Sequence, residues 1–175
     1  SMENKNRYAG VLVKVKDKCL LCKRNEKGSL PGEWSIPAGG IKKDESPNTA
    51  ARREFFEETD IKLEGDLNLV SLISRTTRDG VSTKGMLYVF LSEQEKELLP
   101  DIENAKDGHE HKECNYFTKN NLPNPIGSQL EELILNFKYP KKFTDLVKSL
   151  SKSQWQIENN PKICVELQKA PKAIL

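Results

Sequence analysis

The residues from Ser46 to Asp60 carry the clearest local structural signals in the chain. Ser46 is a residue type that caps helix N-termini, and Pro47 suits the first helical position. Asp60 tolerates the left-handed backbone conformation that often follows a helix C-terminus. The sequence therefore predicts a helix from Pro47 to about Thr59. Because both ends of this helix are marked, the spacing of its residues tells which side chains share a face.

Three glutamates lie on one face of this predicted helix. Glu54, Glu57 and Glu58 are spaced i, i+3 and i+4, so their side chains project within one turn of each other. Carboxylates this close raise each other's pKa and destabilise the helix unless something compensates their charge. A hard divalent cation such as Mg²⁺ does so, because it prefers oxygen ligands and is often shared with substrate phosphates. The alternative is a solvated acidic helix whose carboxylates pair with Arg52 and Arg53.

The residues before the helix favour the metal-site interpretation. Glu45 lies at the helix entrance, near enough to pair with Arg53. The preceding loop, residues 37–40, has two consecutive glycines, so its backbone is free of side-chain bulk. Such a loop can present a carbonyl or an amide group to a metal ion or a phosphate.

The segment from Gly39 to Ile61 resembles the signature of the Nudix family. That signature is Gly, five residues, Glu, seven residues, Arg-Glu, a bulky apolar residue, any residue, Glu-Glu, any residue, Gly and an apolar residue. Six of its seven fixed positions match here, namely Gly39, Glu45, Arg53, Glu54, Glu57 and Glu58. Asp60 stands where the family has the final Gly, and we expect this departure to affect stability rather than chemistry.

The resemblance implies an α/β fold, an α/β/α sandwich built on a mixed sheet. It also implies hydrolysis, with Mg²⁺ or Mn²⁺ and water, of a nucleoside diphosphate linked to another group. By resemblance, Glu57 and Glu58 are metal ligands, and Glu54 is a ligand or the general base. Arg53 orients these glutamates, and Glu45 holds Arg53 by a salt bridge.

Further residues are assigned by position around the signature. The carbonyl of Ala38 matches a backbone metal ligand, and Gly39 and Gly40 are expected to contact substrate. Arg24 resembles a basic residue after the second strand that contacts substrate phosphate. Many family members add an acid from a later loop, and Glu110 and Glu113 fit that position best.

The rest of the chain predicts strands mixed with a few helices. Strands are expected at 8–16, 19–23, 67–75, 85–92 and 115–118, and 93–113 is expected to be a long loop. A second helix, capped at Asn124 and Pro125, should bury an apolar face that extends to Phe137, and a short third helix is expected at 143–150. We divide the chain into a Nudix domain, residues 1–137, and a basic, partly helical extension, residues 138–175.

Composition suits a soluble globular protein, with 36% hydrophobic and 31% charged residues. No window approaches the ~20 apolar residues of a membrane-spanning helix, and the polar N-terminus lacks a secretory signal. These features predict a cytoplasmic protein without a membrane partner. Residues 138–175 carry a net charge of +5, against −3 for the rest, so the tail is either a solvated surface or a contact for a polyanion such as RNA.

Cysteines and histidines give weaker signals. Cys19 and Cys22 are spaced as in some zinc or redox sites, but on a strand they point to opposite faces, so ordinary reduced cysteines are expected. His109 and His111 lie among acids that are hard ligands, and we expect exposed loop histidines. Trp34, Tyr88, Phe90 and Phe117 could stack on a base, although core packing is the expected role.

Three functions follow from these features. The first is Mg²⁺-dependent hydrolysis of a pyrophosphate bond in a small nucleotide substrate. The second is a pyrophosphohydrolase or decapping enzyme that acts on an RNA 5′ end, for which the basic tail is the only support. The third is a non-catalytic nucleotide- or RNA-binding Nudix module, although such proteins usually lose signature glutamates. Family members are often dimers, so a homodimer is possible.

Overall fold

A long central strand, β1 (Glu3–Val15), organises the sheet. It pairs in parallel with β6 (Gly85–Gln94) along one edge. On its other edge it pairs antiparallel with β4 (Ala38–Lys42) near its start and with β2 (Lys18–Arg24) at its end. The structure is a computed structural model that describes residues 3–28, 30–75, 85–137 and 173–175.

Three further strands complete the mixed sheet, which has seven strands within the described ranges. They are β3 (Trp34–Ser35), β5 (Asn68–Arg75) and β7 (His111–Thr118). The strand order is β3-β2-β1-β6-β5, with β4 paired to β1 and β7 paired to β2. The last strand begins at His111, whereas the sequence predicted a loop up to residue 113, so part of that prediction was wrong.

Two α-helices of the described residues cover opposite faces of the sheet. Helix α1 (Pro47–Thr59) buries Phe55 in a core cluster that includes Val11 and Phe90. Helix α2 (Ser128–Asn136) buries three apolar residues, Leu130, Leu133 and Ile134, in a second cluster. The predicted α/β/α sandwich on a mixed sheet is confirmed.

The two cores follow from the period of two in the central strands. In β1, Val11 and Val13 face the α1 side and Leu12 faces the α2 side. In β6, Tyr88 and Phe90 face the α1 side, between residues that face the other way. All four candidate stacking aromatics pack in these cores or against them, as expected.

Helix α1 has the ends that the sequence predicted. The Ser46 side chain accepts a hydrogen bond from the Thr49 N–H. Asp60 adopts a left-handed conformation with φ of 62°, and its N–H donates to the Phe56 carbonyl. The local signals are therefore sufficient to define this helix.

Helix α2 begins later than predicted. Its N-cap is Gly127 rather than Asn124 or Pro125, and no side chain caps it. The residue before it, Ile126, instead forms a bridge with Trp34, so a tertiary contact holds this stretch extended. The predicted third helix, and most of the predicted extension, lie outside the described residues.

The cysteines differ from the prediction of reduced thiols. Cys22 of β2 and Cys114 of β7 are paired across the two strands and form a disulfide. Cys19 is a buried free thiol in the second core, so Cys19 and Cys22 do face opposite sides of β2. Burial raises the pKa of Cys19 to about 12. Cys164 lies outside the described residues.

The chain end contributes to the second core. Ile174 is 1% exposed and packs in the cluster that contains Leu130 and Ile134. No pattern in the sequence of residues 151–175 predicted this contact. No helix in the parts of the chain that the structure describes is long and apolar enough to cross a membrane.

The burial of Ile174 predicts that its side chain contributes measurably to the free energy of unfolding. Ile174→Ala should lower the free energy of unfolding by about 2–4 kcal/mol, because it removes buried methyl groups and leaves a cavity. Urea unfolding measures this change, with the exposed neighbour Ala173→Ser as a matched control. An Ile174→Ala protein with wild-type stability would show that the chain end does not support the core.

Candidate active site

Strand β4 brings a bare stretch of backbone against helix α1. A Cβ atom added to Gly39 would lie 2.2 Å from the carboxylate carbon of Glu54. A side chain there would displace that carboxylate, so Gly39 allows β4 and the acidic face of α1 to come together. Gly40 is the next residue of the strand, and its carbonyl accepts a hydrogen bond from Arg53.

Arg53 lies at the centre of the site. Its Nε donates to Glu45 Oε2 at 2.8 Å and its Nη2 to Glu45 Oε1 at 2.9 Å. Its Nη1 donates to Glu54 Oε1 at 2.8 Å and to Glu57 Oε1 at 3.0 Å. With the bond to Gly40, these contacts use all the donor directions of the guanidinium group. One side chain thus holds three carboxylates and a strand in register.

The charges of the ion pair between Arg53 and Glu45 stabilise each other. Burial of Glu45 favours its protonated form, but hydrogen bonds from Arg53 and the Lys42 N–H overcome this and lower its pKa. The hydrogen bonds to Glu45, opposed by burial, raise the pKa of Arg53 further above its usual range. Both groups are therefore charged at neutral pH.

Glu54 and Glu58 carry two buried carboxyl groups whose negative charges are not fully compensated. Both carboxyl groups are buried, and burial raises the pKa of each. Repulsion from Glu110 and from Glu54 raises the pKa of Glu58 further. The Oε2 atom of Glu58 is buried and has no hydrogen-bond donor among the described residues. The nearby positive charge therefore does not fully neutralise the carboxylates on this face of the helix.

His111 was predicted as an exposed loop histidine, and this prediction was wrong. It is the first residue of β7, 3% exposed, and its Nε2 lies 2.5 Å from Glu58 Oε1. Burial, together with the nearby charge of Arg24, lowers the pKa of His111 to about 4, so the ring is neutral at pH 7. His109 is exposed, as expected.

A bulge explains why the sequence pattern missed His111. The pairs of β2 and β7 run Cys22 with Cys114 and Lys23 with Glu113, and then Arg24 pairs with His111 rather than with Lys112. This extra residue reverses the alternation of side chains at the start of β7. Strict alternation from the apolar residues of β7 therefore gives the wrong face for His111, and only the pairing of β7 with β2 gives the correct one.

The other predicted residues take different positions. Glu110 is close enough to raise the pKa of Glu58 by repulsion. Glu113 is exposed, and its carboxylate accepts a hydrogen bond from the Asn115 side chain. The structure brings Glu110, but not Glu113, into electrostatic contact with the helix carboxylates.

A cavity lies on the α2 side of the sheet. It has a volume of about 260 Å³ and lies between β2–β4 and the start of α2. Arg24 and Ala38 line it, with Ser35, Glu33 and Gln129 as further polar walls and apolar residues such as Leu130 between them. Arg24 connects the cavity with the helix carboxylates, because it lines the cavity and its charge also acts on Glu58.

The donor set fits a hard divalent cation. Within the described ranges, no three Asp, Glu, His or Cys side chains already converge on one point as a formed metal centre. However, Glu54 and Glu58 are neighbouring buried carboxyl groups, and Glu58 Oε2 lacks a donor. Oxygen atoms with surplus negative charge are the ligands that Mg²⁺ and Mn²⁺ prefer. Glu57 and the Ala38 carbonyl could join them.

A family model described as the NUDIX domain matches residues 4–137. The chain belongs to the Nudix hydrolase family. A MutT-like protein of Streptomyces ambofaciens is 37% identical over 70 residues. That match covers 40% of this chain and 42% of the Streptomyces protein, so the similarity spans less than half of either.

Solved Nudix structures share the fold. The crystal structure of a MutT NUDIX hydrolase from Burkholderia pseudomallei is 22% identical, with a TM-score of 0.61, and the match covers 71% of this chain and 91% of that one. A bifunctional NMN adenylyltransferase/ADP ribose pyrophosphatase from Francisella tularensis, solved with AMP and a manganese ion, is 24% identical with a TM-score of 0.52. That match covers 67% of this chain and 35% of the Francisella chain.

The ion pair of Glu45 predicts a dependence of stability on pH. A group whose pKa is lowered by folding stabilises the folded state above its unfolded pKa, and the stabilisation is lost as the pH falls through the folded value. Glu45→Gln should therefore lower the free energy of unfolding at pH 7 by about 1–3 kcal/mol, and less at acid pH. Urea unfolding between pH 3 and pH 7 measures the difference. Glu97→Gln, which breaks an exposed ion pair with Lys18, is the control and should cost less than about 0.5 kcal/mol.

The repulsion between Glu58 and its acidic neighbours predicts that a substitution at Glu58 stabilises the metal-free protein, unlike the substitution at Glu45. Glu58→Gln should raise the free energy of unfolding by about 1 kcal/mol or more, because it removes a buried charge next to Glu54. Glu57→Gln is the matched control and should not stabilise, because Glu57 accepts hydrogen bonds from Arg53. Thermal unfolding in a chelator compares the two. Equal effects would contradict a specific excess of charge at Glu58.

Proposed function

We propose that this chain hydrolyses a pyrophosphate bond in a nucleoside triphosphate or a nucleoside diphosphate-linked substrate, with Mg²⁺ or Mn²⁺, by attack of water at phosphorus. The observation that carries this proposal is the pair of buried carboxyl groups, Glu54 and Glu58, beside the bare backbone of Gly39. A divalent cation bound there would offset the excess negative charge and accept phosphate oxygens as further ligands.

Each side chain has a role that its contacts support. Glu57 and Glu58, with the Ala38 carbonyl, would hold the metal, and Glu54 would hold it or take the proton from water. Arg53 keeps these carboxylates in place through its hydrogen bonds, and Glu45 keeps Arg53 in place. A divalent cation held by these residues would neutralise phosphate oxygens and lower the pKa of a water molecule bound to it. Glu110 is the additional acid that the electrostatics favour, because its charge acts on Glu58.

The cavity on the α2 side of the sheet is the proposed site for the nucleoside. Arg24 lines it at the end of β2 and would pair with a phosphate group of the substrate. Apolar walls such as Ile36 and Leu130 suit a base, and the polar groups of Ser35 and Gln129 could hydrogen bond to its edge. The glycines at 39 and 40 would let the phosphates approach the backbone between this cavity and the glutamates.

A small nucleotide is the favoured substrate. The structural neighbours are named for MutT and for ADP-ribose pyrophosphatase, so nucleoside triphosphates and ADP-ribose are the first compounds to compare. Action on RNA 5′ ends rests on the basic residues 138–175, which lie almost wholly outside the described residues. A non-catalytic binding module is disfavoured because all the signature glutamates are present. A cytoplasmic location and a homodimer stay predictions from the sequence.

Hydrolysis should depend on Glu57. Glu57→Gln should lower kcat at least about 100-fold, because it removes a charged metal ligand that acts on the developing transition state. Phosphate or pyrophosphate release in Mg²⁺ measures this on nucleoside triphosphates, ADP-ribose, nucleotide sugars, dinucleoside polyphosphates and triphosphorylated or capped RNA. The exposed Glu64→Gln is the control and should keep wild-type turnover.

Two outcomes would contradict the proposal. Near-normal turnover by Glu57→Gln would show that the helix carboxylates do not carry the chemistry. No turnover of any compound by the wild type, with a metal ion and a nucleotide bound, would favour the binding module. Activity confined to RNA, and lost with residues 138–175 or at high salt, would favour the RNA 5′-end enzyme.

A further inference from the structure

His111 contacts a proposed metal ligand from outside the signature segment. It lies 53 residues after Glu58 in sequence, yet its Nε2 is 2.5 Å from Glu58 Oε1 and both side chains are almost completely buried. A carboxylate oxygen accepts hydrogen bonds, so the form of the imidazole that fits this contact carries a proton on Nε2. This contact occupies one oxygen of Glu58, and no group in the described part of the chain donates to the other, Oε2.

Several independent contacts hold His111 in this position. The bulge in β7 turns its side chain towards α1, and the Cys22–Cys114 disulfide ties the same two strands together three residues further on. The preceding turn is attached to α1 itself, because the Asp107 N–H donates to the Glu57 carbonyl at 2.7 Å. Gly108 then packs so closely that a Cβ atom would lie 1.9 Å from the Ile102 carbonyl oxygen. The start of β7 is therefore fixed relative to the acidic face.

We propose that His111 is a positioning residue that donates a hydrogen bond to Glu58 Oε1 and thereby holds Oε2 ready for the divalent cation. A carboxylate fixed in this way loses less side-chain freedom when the ion binds. This inference rests on the proposed function, because it takes Glu58 as a metal ligand. It adds a residue that the signature does not contain.

The experiment compares substitutions that keep or remove the donor. His111→Gln places an N–H close to the position of Nε2, whereas His111→Phe fills the space without a donor. Binding of Mn²⁺ to the full, metal-free chain is measured from the electron paramagnetic resonance signal of free Mn²⁺. We expect His111→Gln to bind within about 3-fold of wild type and His111→Phe about 10–100-fold more weakly. The exposed His109→Gln is the matched control and should bind as wild type does.

The same titration can overturn the inference. Wild-type affinity in a folded His111→Phe protein would do so, as would an absence of Mn²⁺ binding in the wild type. Equal losses in His111→Gln and His111→Phe would make the imidazole itself a ligand rather than a positioning group. If His111→Phe does not fold, His111→Asn replaces it. The asparagine side chain is shorter, so the His111→Asn protein should bind Mn²⁺ as weakly as we expect of His111→Phe. Wild-type affinity of the His111→Asn protein would overturn the inference.

A double substitution tests the route of the effect. If His111 acts through Glu58, then His111→Phe should weaken Mn²⁺ binding much less in a Glu58→Gln protein than in the wild type. Equal fold-changes in both proteins would overturn the inference. Hydrolysis is measured separately, so that a wild type with the expected Mn²⁺ pattern and no turnover would contradict the proposed function while supporting the role of His111.

Discussion

The arrangement of the site depends on one guanidinium group. Arg53 reaches Glu45 at the entrance of α1, Glu54 and Glu57 along the helix, and the carbonyl of Gly40 on β4. An ammonium group could not make these contacts at once, because the planar fork of arginine presents its donors in fixed directions. The loop, the helix and the strand therefore meet at a single side chain. Its positive charge offsets the repulsion between the carboxylates when the acidic face is buried.

Arg53 does not offset all of the negative charge on this face, and in the proposed function the remaining charge binds a metal ion. Arg53 has no further donor for Glu58, whose neighbours include the carboxylates of Glu54 and Glu110. A protein selected for stability alone would replace one of these acids or add a second cation. The retained excess of negative charge is instead what a hard cation would bind.

Features of the fold and the site could be predicted from the sequence where they depend on residues that are close together in the chain. The ends of α1 and the shared face of its glutamates follow from neighbouring residues, and the sequence pattern predicted them correctly. The start of α2 depends on a bridge between Ile126 and Trp34, which are 92 positions apart, so local capping signals misplaced it. The disulfide and the place of His111 depend on the register of β2 with β7 and on its bulge. No pattern within one strand contains that information.

The direction of α1 has its own effect on the site. Glu54, Glu57 and Glu58 lie in the C-terminal half of this helix, and no basic residue occupies its last turn. The aligned peptide dipoles place a partial negative charge at a helix C-terminus. The backbone therefore adds to the negative potential of the side chains, instead of offsetting it as the N-terminal end would do. A cation at this face would be attracted by the peptide groups of the helix as well as by its glutamates.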